Sequence, residues 1–185
     1  GAGRIAAVLA HAYRAVRPIR RVRVWNRNAT RARLLVERLS ADGFEAALAT
    51  DLEQAVRASD IVTCATLSTQ PLVRGQWLQP GQHLDLIGAF APHMRETDDE
   101  CFRDTSVFVD CAEAPLKAGD LVFPLASGAL APSGIRARLE DLCRGRHPGR
   151  ANGHEITVFK SVGSALEDLA AGMLAYEGAA GSADR

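Results

Sequence analysis

A chain of 185 residues with 47% hydrophobic content is long enough for one well-buried core, and 22 basic against 22 acidic residues leave no net charge. Without a single-sign block to track a nucleic-acid backbone or an anionic surface, neither nucleic acid nor membrane is an expected partner. Apolar runs are broken by Arg, Asp or Glu far short of the roughly 20 residues of a membrane helix, and no signal-peptide pattern is visible, so a cytoplasmic protein is expected.

Along the chain, Ile5, Val8, Leu9, Ala12 and Val16 form a helical stripe that predicts a helix over 4–16, ending before Pro18. Residues 21–25 alternate polar and apolar as a half-buried strand does. Asn28 or Thr30 can cap a helix through Leu34, Leu35 and Leu39 that stops at Gly43, and 44–48 read as a short strand. Thr50 and Glu53 have capping-box spacing for another helix, and 60–65 is a buried strand. Pro80-Gly81 turns the chain into a strand over 83–88, Thr97 and Glu100 repeat the capping-box spacing, and 106–110 gives one more strand. Strands separated by crossovers of this length imply a parallel sheet with helices on both faces. Beyond Asp110 the pattern loosens into loops punctuated by Pro and Gly. A helix is expected from Ser133 through Ile135, Leu139 and Leu142, then a turn over 144–150 and a last strand over 155–159. Leu166, Leu169, Ala170, Met173 and Leu174 predict an amphipathic helix, followed by a frayed tail of Gly, Ala, Ser and Asp.

The chemistry begins at the first residue. Gly1-Ala2-Gly3-Arg4-Ile5-Ala6 is a GxGxxA element. Its first Gly permits a tight turn, its second lets a pyrophosphate approach the backbone, and Ala6 lets helix and strand pack closely. The helix that follows aims its positive end at the phosphates. Where the next strand ends, an acidic residue would bind the ribose hydroxyls of NAD, but this chain has Asn26-Arg27, with Arg31 one helical turn on. A guanidinium there suits a 2′-phosphate, so NADPH is favoured, with NADH possible; the competing reading is a solvated arginine on an Arg-rich surface. Ala65, Thr66 and Leu67, and Ala89 and Phe90, sit at the carboxyl ends of later strands, where ligands lie in open α/β sheets.

Other groups carry less. Glu96, Asp98, Asp99 and Glu100 read as acidic residues at a helix start rather than as metal ligands, and no metal is expected. His93, in a loop beside the expected nicotinamide site, could serve as an acid/base group, but a surface-loop histidine is the favoured reading. Cys64, Cys101, Cys111 and Cys143 lack a CxxC pair and read as reduced core thiols, Cys64 being a small core residue rather than a nucleophile. The two lysines are Lys117 and Lys160.

Five segments in this order and spacing resemble the ornithine cyclodeaminase/mu-crystallin family: Gly-Ala-Gly-Arg-Ile-Ala, Val-Trp-Asn-Arg, Ile-Val-Thr-Cys-Ala-Thr, Gly-Ala-Phe-Ala-Pro-His-Met-Arg-Glu-Thr-Asp and Phe-Lys-Ser-Val-Gly-Ser-Ala-Leu-Glu-Asp. The resemblance implies a homodimer whose subunit pairs a Rossmann lobe with a second lobe for substrate and dimerisation. Residues 1–158 would be the dinucleotide-binding lobe, and 159–185 a C-terminal segment returning to the second lobe. The expected fold is thus α/β, a Rossmann-type doubly wound, mostly parallel sheet. It would lack its first strand, because the fingerprint starts at Gly1, and the chain is expected to be N-terminally truncated.

The family's essential lysine and its substrate-carboxylate arginines lie before the fingerprint, so no catalytic residue is assigned. Cyclodeaminases carry a catalytic Asp at the position of Phe90. Phenylalanine there resembles instead the branch that reduces cyclic imino acids, Δ1-pyrroline-2-carboxylate or Δ1-piperideine-2-carboxylate, to proline or pipecolate. Ser161, Val162 and Gly163 match the segment beside nicotinamide and substrate. The alternatives are an NAD-dependent ornithine cyclodeaminase, and a non-catalytic NADPH- or ligand-binding protein like mu-crystallin or an inactive fragment.

Overall fold

Thirteen residues without an internal Gly or Pro make helix α1 (Arg4–Val16), which gives way at Arg17 and Pro18. The computed structural model describes the backbone of residues 1–183 and the side chains of 1–179. Strand β1 (Arg21–Val24) leads to α2 (Ala29–Ala41), whose cap is Asn28: its side chain accepts the Arg31 N–H at 3.1 Å. Gly43, at φ +82°, turns the chain into β2 (Glu45–Leu48). Asp51, not Thr50, caps α3 (Leu52–Arg57) by accepting the Gln54 N–H. Then come β3 (Ile61–Cys64), β4 (His83–Leu86) and β5 (Ser106–Val109).

The second half departs from its sequence pattern. The stretch expected as loops holds α4 (Ala114–Lys117) and α5 (Gly119–Ser127), the latter with Pro124 inside it. The helix expected from Ser133 is instead β6 (Ile135–Arg138), followed by a single turn, α6 (Leu139–Cys143). Ile135 and Ala137 face inward between exposed Arg136 and Arg138, and pairing with β5 decides the conformation. The acidic run forms a 3-10 turn over Asp99–Phe102, not an α-helical start. After β7 (Thr157–Lys160), helix α7 (Ala165–Ala183) continues through the stretch expected to fray; residues 184–185 of that tail lie outside the described residues. Cys64 and Cys101 are buried as expected, Cys111 is half-buried, and Cys143 is exposed rather than in the core.

The result is an α/β fold with parallel pairing throughout its two sheets, one ordered β2-β1 and the other β3-β4-β7-β5-β6. The larger core gathers Leu84, Leu86, Val107, Val109 and Val158 with Phe102, Leu121 and Leu130; the smaller packs Val24, Leu35, Leu39 and Phe44. All four residues of β5 are buried, the mark of a strand covered on both faces.

A slot separates the sheets. The Arg20 and Val24 carbonyls bond to β2 and its following residue, and those of Asp60 and Cys64 bond at the two ends of β4. Because backbone direction alternates along a parallel strand, Arg21 and Arg23 of β1 and Ile61 and Thr63 of β3 turn their N–H and C=O groups into the space between. That space is a cavity of about 260 Å³, roofed by Ala6, Leu9, Ala10 and Tyr13 of α1. Tyr13 is tied across it, its hydroxyl donating to Asp85 Oδ2 at 2.8 Å beside the Thr63 hydroxyl on the same oxygen at 2.8 Å. At the carboxyl end of the slot, Gly1 N donates to the Trp25 carbonyl at 2.8 Å.

Candidate functional site

The carboxyl edge of the sheets collects the residues singled out in the sequence. Helix α1 begins there with no side-chain cap and no acidic residue in its first turn, so its first N–H groups and positive dipole end are left for an anion. The two glycines differ. A Cβ on Gly1 would lie 2.8 Å from the Ala65 carbonyl oxygen and 3.3 Å from Thr66 Cγ2, so Gly1 is needed for the close approach to the loop after β3. Gly3, the N-cap, has nothing within 4 Å of such a Cβ, which leaves open room above the helix end where Arg4 and Ile5 are exposed.

On the β1 side, Asn26 donates its amide to the Asn28 carbonyl, while Arg27 and Arg31 are exposed and have no ion pair among the described residues. On the β3 and β4 side, Leu67 (74% exposed) and Phe90 (54% exposed) present apolar side chains from neighbouring loops, whereas Ala89 is fully buried and offers only backbone. Ser161, Val162 and Gly163 follow β7, which pairs with β4, so their loop lies beside the one bearing Phe90; Ser161 N donates to the Leu86 carbonyl at 3.0 Å.

The remaining candidates differ in burial. Burial pushes the Cys64 thiol well above its ordinary range, which removes it as a nucleophile. His93 and Lys117 are exposed, and no cluster of His, Cys, Asp or Glu among the described residues could hold a metal ion.

The profile of the ornithine cyclodeaminase/mu-crystallin family matches residues 1–183. The chain belongs to that family. Its relatives include a Δ1-pyrroline-2-carboxylate reductase of Paracoccus denitrificans, 47% identical over 91% of this chain and 54% of the relative. The mouse ketimine reductase mu-crystallin is 37% identical over 84% of this chain and 46% of its own length. Among solved structures, Thermococcus litoralis Δ1-pyrroline-2-carboxylate reductase, in complex with NADH and L-proline, superposes with a TM-score of 0.95 at 34% identity, covering 99% of this chain and 57% of that one. The chain thus spans about half the length of the curated relatives it matches.

In this family member several residues that shape the edge escaped the sequence reading. Asp110, at the end of β5, accepts the Val162 and Gly163 N–H groups at 2.6 and 2.7 Å and the Ser161 hydroxyl at 3.1 Å, and so holds the loop after β7. Gly163 completes that turn at φ +82°. Glu96 is fully buried rather than compensating a helix dipole, and its carboxylate takes N–H groups from the loops after β3 and β4. Burial raises its pKa, against the Thr66 donors that lower it, and burial lowers the pKa of fully buried Lys160. The signal available for Lys160 was its place at the end of the otherwise uncharged run Thr157–Lys160.

Proposed function

We propose that the protein is the dinucleotide-binding part of an NADPH-dependent reductase of cyclic imino acids. Its substrates would be Δ1-pyrroline-2-carboxylate or Δ1-piperideine-2-carboxylate, its products proline or pipecolate. The observation that carries this reading is the set of candidate residues at the carboxyl ends of the two sheets, on either side of the start of α1. The uncapped N-terminus of α1 lies between Arg27 and Arg31 on one side and the loops of Phe90 and Ser161–Val162–Gly163 on the other. Gly1, Gly3 and the first-turn N–H groups of Arg4, Ile5 and Ala6 take the pyrophosphate, because unpaired N–H groups and a helix dipole favour an anion. Asn26, Arg27 and Arg31 take the adenosine ribose and its 2′-phosphate, a planar guanidinium being suited to the phosphate oxygens. Ala65, Thr66, Leu67, Ala89 and Phe90 line the path to the nicotinamide. Ser161, Val162 and Gly163 bound the substrate end.

When bound, the dinucleotide would supply hydride to the carbon of a C=N group whose nitrogen is already protonated, giving the amine. This chain's residues bind and orient it, and Phe90 keeps an apolar wall where an acid would serve deamination. A parallel strand seated in the slot would complete a doubly wound sheet of Rossmann type, since β1 and β2 continue outward on one side and β3 and β4 on the other. The relatives' names and the NADH bound in the Thermococcus enzyme support the class of chemistry. Leu166, Leu169, Met173 and Leu174 of α7 are exposed, which suits a segment that packs into a second lobe of a homodimer.

The test is to supply the full-length protein with Δ1-pyrroline-2-carboxylate and follow NADPH absorbance. Oxidation dependent on the imino acid is expected; its absence with both imino acids would overturn the reading.

A further inference from the structure

Beneath the carboxyl edge lies a polar cluster with no exposure at all: Glu96 between β4 and β5, Asp120 in the first turn of α5, and Lys160 at the end of β7. Asp120 Oδ1 accepts the N–H groups of Glu96 (2.8 Å) and Thr97 (3.0 Å) and the Thr97 hydroxyl (2.9 Å). That fixes the backbone of Glu96, whose side chain then bridges two loops. Oε1 accepts the Thr66 N–H at 2.6 Å and the Thr66 hydroxyl at 2.7 Å, and Oε2 accepts the Gly88 N–H at 2.8 Å. Lys160 closes the cluster, donating to the Leu86 carbonyl at 3.1 Å and standing 3.7 Å from Asp120 Oδ2. The fit around Gly88 is tight: a Cβ there would lie 2.0 Å from the Thr66 carbonyl oxygen and 2.4 Å from Glu96 Oε1.

Apolar side chains of similar volume would stabilise a core at least as well as three buried charges, because desolvation offsets much of the Coulomb attraction. What they could not do is capture two loop N–H groups from one point. The captured residues are placed accordingly. Thr66 lies between Ala65 and Leu67, and its methyl, with the Ala65 carbonyl, is what a Cβ on Gly1 would meet; Gly88 immediately precedes Ala89 and Phe90.

We propose that Glu96, seated by Asp120 and Lys160, is a positioning residue for the dinucleotide: it ties the loop after β3 to the loop after β4, fixing the separation of Leu67 and Phe90 before anything binds between them. The inference rests on the dinucleotide reading above. It assigns Glu96 a role in affinity and not only in folding.

The experiment compares wild type with Glu96→Gln in the full-length protein. It titrates NADPH by its fluorescence, reads amide hydrogen exchange at Thr66 and Gly88 without ligand, and measures the folded fraction by thermal unfolding of the same samples. The amide replaces one accepting oxygen by a donor, so one tie is lost. The expected result is faster exchange at Thr66 or Gly88, with β5 amides unchanged, and a Kd, corrected for folded fraction, raised about tenfold or more. A corrected Kd within about twofold of wild type, or unchanged exchange at both amides, would overturn it. Should Glu96→Gln not fold, Thr66→Val removes the hydroxyl tie alone; a Kd raised about threefold is expected, and an unchanged Kd overturns the proposal. Wild-type protein that binds no NADPH or NADH would refute the dinucleotide reading and this inference together. Wild type that binds while Glu96→Gln binds equally well refutes this inference alone.

Discussion

Replacing Lys160 by Met tests whether the buried cluster is an ion pair or only a set of neighbours. Both Lys160 and Asp120 are 0% exposed, and Asp120 Oδ2 has no hydrogen-bond partner, so the ammonium at 3.7 Å is its compensation. At that separation Coulomb attraction amounts to about 4 kcal/mol with an effective dielectric constant near 20. Methionine matches the lysine stem in length, and the Leu86 carbonyl keeps its second donor, Ser161 N at 3.0 Å. The damage should therefore come from Asp120, left charged and buried without a partner. We expect Lys160→Met to lower unfolding free energy by about 3–5 kcal/mol, the range for breaking a buried pair from one side. Asp120→Asn keeps an oxygen for the Glu96 and Thr97 N–H groups while removing the charge. The double variant should then be less destabilised than the sum of the single ones, with a coupling of about 2 kcal/mol or more. Urea unfolding at neutral pH, monitored by far-ultraviolet circular dichroism with the m-value checked for constancy, supplies all four corners of the cycle. Additivity within about 0.5 kcal/mol would show that the two side chains do not compensate each other, and the reasoning would be wrong.

Further consequences can be measured in the same way. Gly88→Ala places a methyl 2.0 Å from the Thr66 carbonyl oxygen, so the loops must separate; a loss of about 1–3 kcal/mol is expected in urea unfolding, and a loss below about 0.5 kcal/mol would contradict the close approach. Burial holds the folded-state pKa of Glu96 above its unfolded value, so its contribution to stability is complete below about pH 4.3 and is lost as pH rises through the raised value. Glu96→Gln abolishes that titration. Its stability relative to wild type should improve as pH rises across that window, and a difference that stays flat in urea midpoints would count against the buried site. Arg27→Ala with Arg31→Ala should reduce the ratio of NADPH to NADH affinity by about tenfold or more, the value of losing charge-assisted bonds to a phosphate; an unchanged ratio would return both residues to the role of solvated arginines.

Sequence pattern disclosed what is local. The stripe of α1 and the alternation of Arg21, Val22, Arg23 and Val24 are read from neighbours a few residues apart, and the cap Asn28 acts within three residues of itself; at α3 the spacing points to Thr50, one residue before the cap Asp51. The misread segments are those where a partner decides. Ile135, Leu139 and Leu142 have helical spacing, and Leu139 and Leu142 are helical in α6, yet the four residues of β6 are too few for alternation to outweigh that spacing, and pairing with β5 makes Ile135–Arg138 a strand. In α5 the apolar Leu121, Val122 and Leu125 were masked by Gly119 and Pro124. The site divides along the same line. Gly1 and Gly3 can be singled out, and proposed as a phosphate turn, because a glycine's permissiveness is local. Glu96 meets Thr66 at a separation of 30 residues, Asp110 meets Val162 at 52, and Lys160 meets Leu86 at 74. An acid beside a short helical turn gives no hint of which distant amide it will bind.

The slot and the edge are one problem seen from two directions. The β1-β2 half carries Arg27 and Arg31, and the larger sheet carries Leu67, Phe90 and the loop after β7. A ligand spanning both needs their separation fixed, and backbone pairing does not join β1 to β3. Contacts that join them among the described residues include Gly1, whose N donates to the Trp25 carbonyl and on which a Cβ would meet the Ala65 carbonyl, and Tyr13, bonded to Asp85. An extended backbone seated in the slot would satisfy the N–H and C=O groups of Arg21, Arg23, Ile61 and Thr63, each worth about 1–3 kcal/mol if buried without a partner. Under the dinucleotide reading, Arg27 and Arg31 would reach the same ligand as Phe90 only with the two sheets held at a fixed separation.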